Sequence, residues 1–396
     1  MKIIGSFTVS IIVLLCIQQT SQGQLQPGYS PMHSTAFNHS NQYVTQPDLR
    51  SDLPQQTYGT DQINWASVPA TSSSFINETQ PAVWCDAEDG TCSHDDPRCS
   101  EFWEHRTRLF GDFLYLTARD SKVPYATHVD GPVSGAALLA PTSVIEPDYE
   151  SGFRVGGAFA LDPWSSITAT FWSFRSEISD SLVLPGNIGW ARSEVTHPGT
   201  ASVANDSLFA RATDEISFKM GDLAFQRAFY GDCAISVNWL LGLRYAQLNQ
   251  QFHSDFAISG ATTVDTSIDF DGIGPRFGVA LERRLNGGFL TYGQAFGNVL
   301  FGKQAADYIQ QNATAGVQAT SDADERRIVP QLELELGMGW QNYSGNLRLR
   351  AGYYFATWFN VATTPTWIDA VQANSESDVE NSLIFHGLSI RAEYRF

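Results

Sequence analysis

Leu332, Leu334, Leu336, Met338 and Trp340 alternate without exception with Gln331, Glu333, Glu335, Gly337 and Gly339. A period of two sustained over this length describes an extended strand with one apolar and one wet face. The pattern returns where Leu347, Leu349, Ala351, Tyr353 and Phe355 oppose Arg348, Arg350, Gly352 and Tyr354. It returns again where Leu388, Ile390, Ala392, Tyr394 and Phe396 oppose Gly387, Ser389, Arg391, Glu393 and Arg395. From Cys233 to Tyr245 the odd positions are apolar, and Leu240 alone breaks the even, polar face. Weaker versions cover Phe153 to Leu161, with Arg154 inward, and Arg276 to Arg283, with Arg276 and Glu282 inward. Segments near Phe110 to Ala118, Ile167 to Arg175, Ile216 to Phe229 and Phe289 to Phe301 are strand-like with ambiguous parity.

The connections between these segments fall into two kinds. Tight ones occur at Asp162-Pro163-Trp164, Tyr230-Gly231-Asp232, Asn286-Gly287-Gly288 and Tyr343-Ser344-Gly345-Asn346, each built from residues that enter turns at low cost. Long polar ones lie near 119–147, 179–212, 249–267, 303–326 and 361–381. Short periplasmic turns opposite long external loops are the asymmetry of an outer-membrane barrel, and this alternation joins about ten antiparallel strands over residues 105–396. After the N-terminal segment no stretch resembles a membrane helix, and the mean hydropathy of -0.18 is that of a water-soluble chain. A membrane barrel has this property, because only every second side chain of each strand meets lipid. A soluble β-sandwich or propeller also alternates. The loop asymmetry and the aromatic residues Trp340, Tyr353, Tyr394 and Phe396 near strand ends, as in an interfacial girdle, favour the membrane barrel.

Before the barrel, Lys2, the apolar run Ile11 to Ile17 and Ser21-Gln22-Gly23 form a secretory signal peptide over residues 1–23, too short to span a bilayer. Residues 24–104 are dense in Gln, Ser, Thr, Asn and Pro without periodicity, and are expected to be a largely disordered periplasmic arm. The arm carries Cys85, Cys92 and Cys99 at equal spacing among acidic residues, with Cys233 beside an expected periplasmic turn. Zinc spacings pair cysteines more closely, so disulfides in an oxidising compartment are the reading, with connectivity open. No metal and no cofactor is expected.

The inward-facing charges carry the chemistry: Arg154, Arg244, Arg276, Glu282, Glu333, Glu335, Arg348, Arg350, Arg391, Glu393 and Arg395. In a narrow barrel such residues either fill the interior with ion pairs or line a water-filled channel and set its ion preference. The formal net charge of -18 argues against nucleic acid as a partner. Acidic residues in the external loops suggest an acidic mouth above an arginine-bearing lumen. His128, His197 and His253 fall in those loops beside Asp130, Glu194 and Asp255, an arrangement more typical of solvated surface pairs than of catalytic dyads. No nucleophile motif, HExxH or phosphate-cradling glycine loop is present, so no enzymatic activity is expected.

Four stretches together resemble the Legionella-type major outer membrane proteins, a pore-forming family also abundant in planctomycete-like bacteria. They are Leu109 to Leu116 followed by Val123-Pro124-Tyr125-Ala126, Asn238 to Tyr245, Gly272-Ile273-Gly274-Pro275-Arg276, and Arg391 to Phe396. The resemblance runs from about residue 105 to the end. It implies a pore in the outer membrane of a Gram-negative bacterium, passing ions or small polar solutes. It further implies that Tyr394 and Phe396 belong to a signal read by the barrel-assembly machinery. A non-conducting barrel acting as adhesin or cell-surface anchor through its loops is the alternative, and the outer-membrane lipid and a homo-oligomeric partner are compatible with either.

Overall fold

A computed structural model describes residues 102–396, apart from 133–134, 185–187, 201–205, 233, 258–260 and 377–378. Fourteen strands form: β1 (Arg108–Arg119), β2 (Val123–Val129), β3 (Ser143–Ile145), β4 (Glu150–Asp162), β5 (Ser165–Val183), β6 (Trp190–Ser193), β7 (Asp206–Ser207), β8 (Phe209–Gly231), β9 (Ile235–Ala257), β10 (Ala261–Arg284), β11 (Phe289–Asn312), β12 (Gly316–Gln341), β13 (Leu347–Val361) and β14 (Asn381–Arg395). Ten of them close into one antiparallel barrel in the order β1-β14-β13-β12-β11-β10-β9-β8-β5-β4, sealed by β1 against β4. Closure leaves no free sheet edge, which a strand in lipid cannot tolerate. The tight connections stand where they are expected. Gly287 and Gly288 take φ of 70° and 81° between β10 and β11, a left-handed geometry that side chains resist.

A belt of outward apolar side chains surrounds the end of the barrel that carries the tight turns. It includes Leu241, Leu243 and Tyr245 on β9, Phe277, Val279 and Leu281 on β10, and Leu336 and Met338 on β12, all exposed. Crossing lipid takes about 9–11 residues per strand. β8 to β12 are 23 to 26 residues long, so they continue well past the belt, while β1, β4, β13 and β14 have only 12 to 15.

Two of the expected external loops are therefore not loops. Residues 249–257 and 261–267, and 303–312 and 316–326, are paired strand, the second pair joined by a short turn at 313–315. The reason is a change of surroundings. Above the belt the outward face meets water, so polar side chains replace the apolar stripe: Asn249, Gln251 and His253 face out on β9, and Asp265, Ser267 and Asp269 on β10. Polarity on the outer face makes such a stretch read as loop. Of the acidic residues expected to ring the mouth, Asp255, Asp265, Asp322 and Asp324 face outward on this wall instead.

The remaining long connections do leave the barrel, and they fold over its outer end. β3-β2-β6-β7 form a small second sheet. The β13–β14 connection makes helix α1 (Thr364–Ala373), capped where Thr366 Oγ1 accepts from Thr363 N at 3.0 Å and ended by Asn374 in the left-handed region at φ 50°. Its Trp367, Ile368 and Val371 are buried in one apolar cluster with Tyr125 and Val195 of the small-sheet region and Phe252, Phe256 and Ile268 of the barrel wall. Pro330 explains where α1 departs: β12 pairs with β13 only from Gln331 onwards, and Pro330 has no N–H with which to extend that ladder.

Candidate functional site

Inside the belt, each strand's second face points into the lumen, where a side chain meets neither lipid nor bulk water. Arg154, Arg244, Arg276, Glu282, Glu333, Glu335, Arg348, Arg350, Glu393 and Arg395 are all buried there, and Arg391 is half-buried. They interlock across the barrel. Asp112 accepts from Arg154 and, through both oxygens, from Arg391 Nε at 2.7 Å and Nη2 at 2.9 Å. Arg154 Nη2 reaches on to Glu335 at 3.0 Å, which also accepts from the Tyr292 hydroxyl at 2.9 Å. Arg244 grips Asp222 side-on, with Nε to Oδ1 at 2.5 Å and Nη2 to Oδ2 at 2.7 Å, and its Nη1 donates to Glu333 and Gln331. Arg276 Nη2 donates to the second oxygen of Glu333 at 2.9 Å.

Nearer the tight turns, Glu282 accepts from Arg348 Nη1 at 2.9 Å and Arg350 Nη2 at 2.6 Å. Aromatic faces support several guanidiniums: Arg154 lies 4.2 Å from the Trp172 ring centre and Arg276 4.2 Å from Phe296. At the barrel's entrance His105 is fixed between Ser166 Oγ at 2.7 Å and Asn238 Oδ1 at 2.8 Å. Burial pushes its pKa down to about 4 against the opposing hydrogen bond to Asn238, so the ring is neutral at pH 7. A cavity of about 100 Å³ lies within this charged section, lined by His105, Trp103, Phe110 and many of the arginines.

The lumen changes character above Trp172. Leu114, Leu116, Phe174, Phe218, Met220, Leu248, Phe270, Leu300, Trp358 and Phe385 fill it, none more than 2 % exposed. Phe218 packs on Phe174 and Phe385 with ring centres 5.3 and 4.9 Å away. Side chains this inaccessible leave no water column at that level. Higher still, polar contacts tie the small sheet and α1 to the wall: Tyr125 to Asp180 at 2.9 Å, Tyr308 to the Val195 carbonyl at 2.9 Å, and Gln372 to the Glu194 carbonyl at 2.7 Å. Asp214, inward on β8 in this outer zone, is 1 % exposed and both its carboxylate oxygens lack a partner. Burial, with Glu215 adjacent, pushes its pKa up to about 7.

Sequence reasoning missed Asp112, Asp222 and Arg108, which complete the charged section. Asp112 stands between Phe110 and Leu114, which also face inward, while Leu109, Phe113 and Tyr115 face outward. With both faces apolar, parity had nothing to read, and the same holds around Asp222. The signal available was the isolated acid itself within an apolar strand. Of the histidines, His128 is buried against the Ile188 carbonyl at 2.9 Å, and His197 lies 3.3 Å from Asn374 Oδ1. His253 is on strand rather than loop, between Asp265 at 2.6 Å and Asp255 at 3.1 Å on the outer wall. Trp340, Tyr353, Tyr394 and Phe396 all point outward and are exposed. Cys85, Cys92, Cys99 and Cys233 lie outside the described residues, as do the signal-peptide region and the arm up to residue 101.

No curated protein sequence matches the chain. Solved structures similar to it include the outer membrane protease OmpT of Escherichia coli, at 9 % identity and TM-score 0.40 over 74 % of this chain and 97 % of that one. The toluene transporter TodX of Pseudomonas putida aligns at 12 % identity and TM-score 0.32 over 75 % and 91 %. A FadL homologue of Pseudomonas aeruginosa aligns at 7 % identity and TM-score 0.21 over 74 % and 90 %. The sequence profile of the Legionella pneumophila major outer membrane protein precursor matches residues 104–395, the whole of the barrel described above. The chain thus belongs to the Legionella major outer membrane protein family, and its barrel is an outer-membrane β-barrel.

Proposed function

We propose that the barrel is a non-enzymatic pore for passive passage of ions or small polar solutes, and that the described conformation is its closed state. The observation that carries this reading is the column of inward charges running through the lipid-facing section from the cavity near the tight turns up to Trp172. Buried ion pairs contribute little net stability, and a hydrophobic filling is often as good or better. So many in one lumen are hard to explain as scaffold alone. The apolar section above them supports a gate, because a hydrophobic constriction blocks ions by excluding water. In this reading the tight turns face the periplasm, the arm preceding Phe102 lies there, and Tyr394 and Phe396 present the assembly signal.

One observation favours a second reading, a non-conducting barrel that displays its outer end. The apolar filling is continuous with a cap that is itself anchored by hydrogen bonds, as in a folded domain. Solute efflux from proteoliposomes distinguishes the two. A pore releases trapped KCl, and faster once residues 364–376 are replaced by a short glycine-serine linker. A barrel that retains KCl in both forms is the filled scaffold of the second reading.

A further inference from the structure

Before it enters the barrel wall, the chain crosses the mouth at the tight-turn end, and its side chains there reach strands on nearly opposite sides. Phe102 is 3 % exposed, packed with Leu290 and Tyr292 of β11, and the Arg348 guanidinium of β13 lies 5.8 Å from its ring. On the far side His105 is held by Ser166 of β5 and Asn238 of β9, and Trp103 lies against Trp164 in the β4–β5 turn with ring centres 4.1 Å apart. β11 and β13 each stand four places from β5 around the ten-strand ring. Between these contacts the Glu104 carbonyl accepts from Arg395 Nη2 of β14 at 2.6 Å. Phe102 to His105 also line the 100 Å³ cavity, so a path from that cavity to the tight-turn end runs past them.

The wall is shaped to receive this segment. Gly231 ends β8 against Trp103, where a Cβ would come within 2.7 Å of the indole Cγ. The segment nevertheless stands outside the sheet. Pairing of β1 with β4 and with β14 begins at Arg108, and Thr107 is tied to the barrel by Phe396 N, which donates to its carbonyl at 2.8 Å. Ahead of Thr107, the backbone bonds to the barrel are His105 N to the Pro163 carbonyl at 2.8 Å and the Glu104 carbonyl to Arg395. Phe102 to His105 can leave the mouth without breaking a rung of the barrel, and such weakly tied elements are the ones that move first.

We propose that Phe102 to His105 form an autoinhibitory plug of the tight-turn mouth, which narrows it when docked, swings out about Thr107 when released, and is latched by His105 and Trp103. The plug is a second constriction in series with the apolar section, at the opposite end of the lumen. The inference rests on the pore reading and adds a control that the reading does not contain.

Single-channel recording of the refolded full-length protein in planar bilayers tests it, in a Phe218→Ala, Phe385→Ala background that removes two rings of the apolar section. Two conductance levels are expected, a dominant lower one with the plug docked and a brief upper one with it released. His105→Ala loses two buried hydrogen bonds and raises the occupancy of the upper level by roughly tenfold. Asn238→Ala and Gly231→Ala, made in the wall rather than in the plug, act in the same direction. The amplitude of the upper level is the same in all of them, which general damage to the fold would not preserve. Should the background not refold, the rare openings of wild type and of His105→Ala are compared in its place. Equal occupancies in His105→Ala, Gly231→Ala and their parent overturn the proposal and leave the pore standing. Silence of every folded form removes the pore reading, and the plug's role with it.

Discussion

The two ends of β9 are built on opposite rules. Near the tight turns its outward face carries Leu241, Leu243 and Tyr245, and its inward face Ser236, Asn238 and Arg244. Past Ala246 the same outward face carries Gln247, Asn249, Gln251 and His253, and the inward face Leu248, Phe252 and Phe256. β10 reverses likewise, from Phe277, Val279 and Leu281 outside with Arg276 and Glu282 inside to Asp265, Asp269 and Asp271 outside with Val264, Ile268 and Phe270 inside. The strand, its pairing and its register continue unbroken through the change. What reverses is the solvent: lipid selects apolar residues outside and tolerates charge within, whereas water selects the inside-out arrangement of a soluble protein. One sheet thus serves two environments, and the reversal marks where the lipid ends.

The reversal is tested by breaking each region at its own rule. The largest effect belongs to the charged lumen. Arg244→Met removes the guanidinium that grips Asp222 side-on and leaves Arg276 alone between Asp222 and Glu333, and destabilisation by about 3–5 kcal/mol is expected in urea unfolding from lipid vesicles. Phe218→Ala, in the apolar section, costs about 3–5 kcal/mol for the lost burial and the cavity left behind. A matched pair on one face of β9 then locates the boundary. Leu243→Arg in the belt costs about 2–4 kcal/mol in lipid, while Gln251→Arg, eight residues on, costs nearly nothing.

Smaller effects concern pH. Asp214 is held near pKa 7 in the folded state against an ordinary value near 4, so the fold binds its proton more tightly than the unfolded chain does. The stability from the protonated form is full below the unfolded pKa and is lost as pH rises through about 7. Asp214→Asn is therefore expected to match wild type at pH 4 and to exceed it in stability at pH 8, measured by denaturant midpoint. His253 runs the same way for a different reason. Burial lowers its pKa, but the hydrogen bond to Asp265 and the charges of Asp255 and Asp265 raise it by more. His253→Gln then loses under about 1 kcal/mol, seen only below the pH where the ring titrates, because the pair is solvent-exposed.

Much of the membrane section was legible in the sequence, for the physical reason that lipid enforces alternation. Gln331 to Trp340 and Leu347 to Phe355 each place one complete apolar face outward, and their inward charges meet in the lumen. Legibility failed where the second face was apolar too, at Phe110 to Leu116 and around Asp222. It failed again outside lipid, where residues 249–257 and 261–267, and 303–312 and 316–326, carry polar outward faces and read as loop. The helix α1 and the small sheet were hidden for a third reason: both are short, and their apolar residues, such as Trp367 and Val195, are buried only by contact with distant strands.

The central claim is that the lumen is a charged path held shut by its apolar section, and single-channel recording in planar bilayers tests it most directly. Wild type is expected to open rarely, and the double variant Phe218→Ala, Phe385→Ala to show frequent, stepwise conductance in KCl as water enters where the rings met. Equal and complete silence from a folded wild type and a folded double variant would contradict it, and would leave a filled barrel whose outer end does the work.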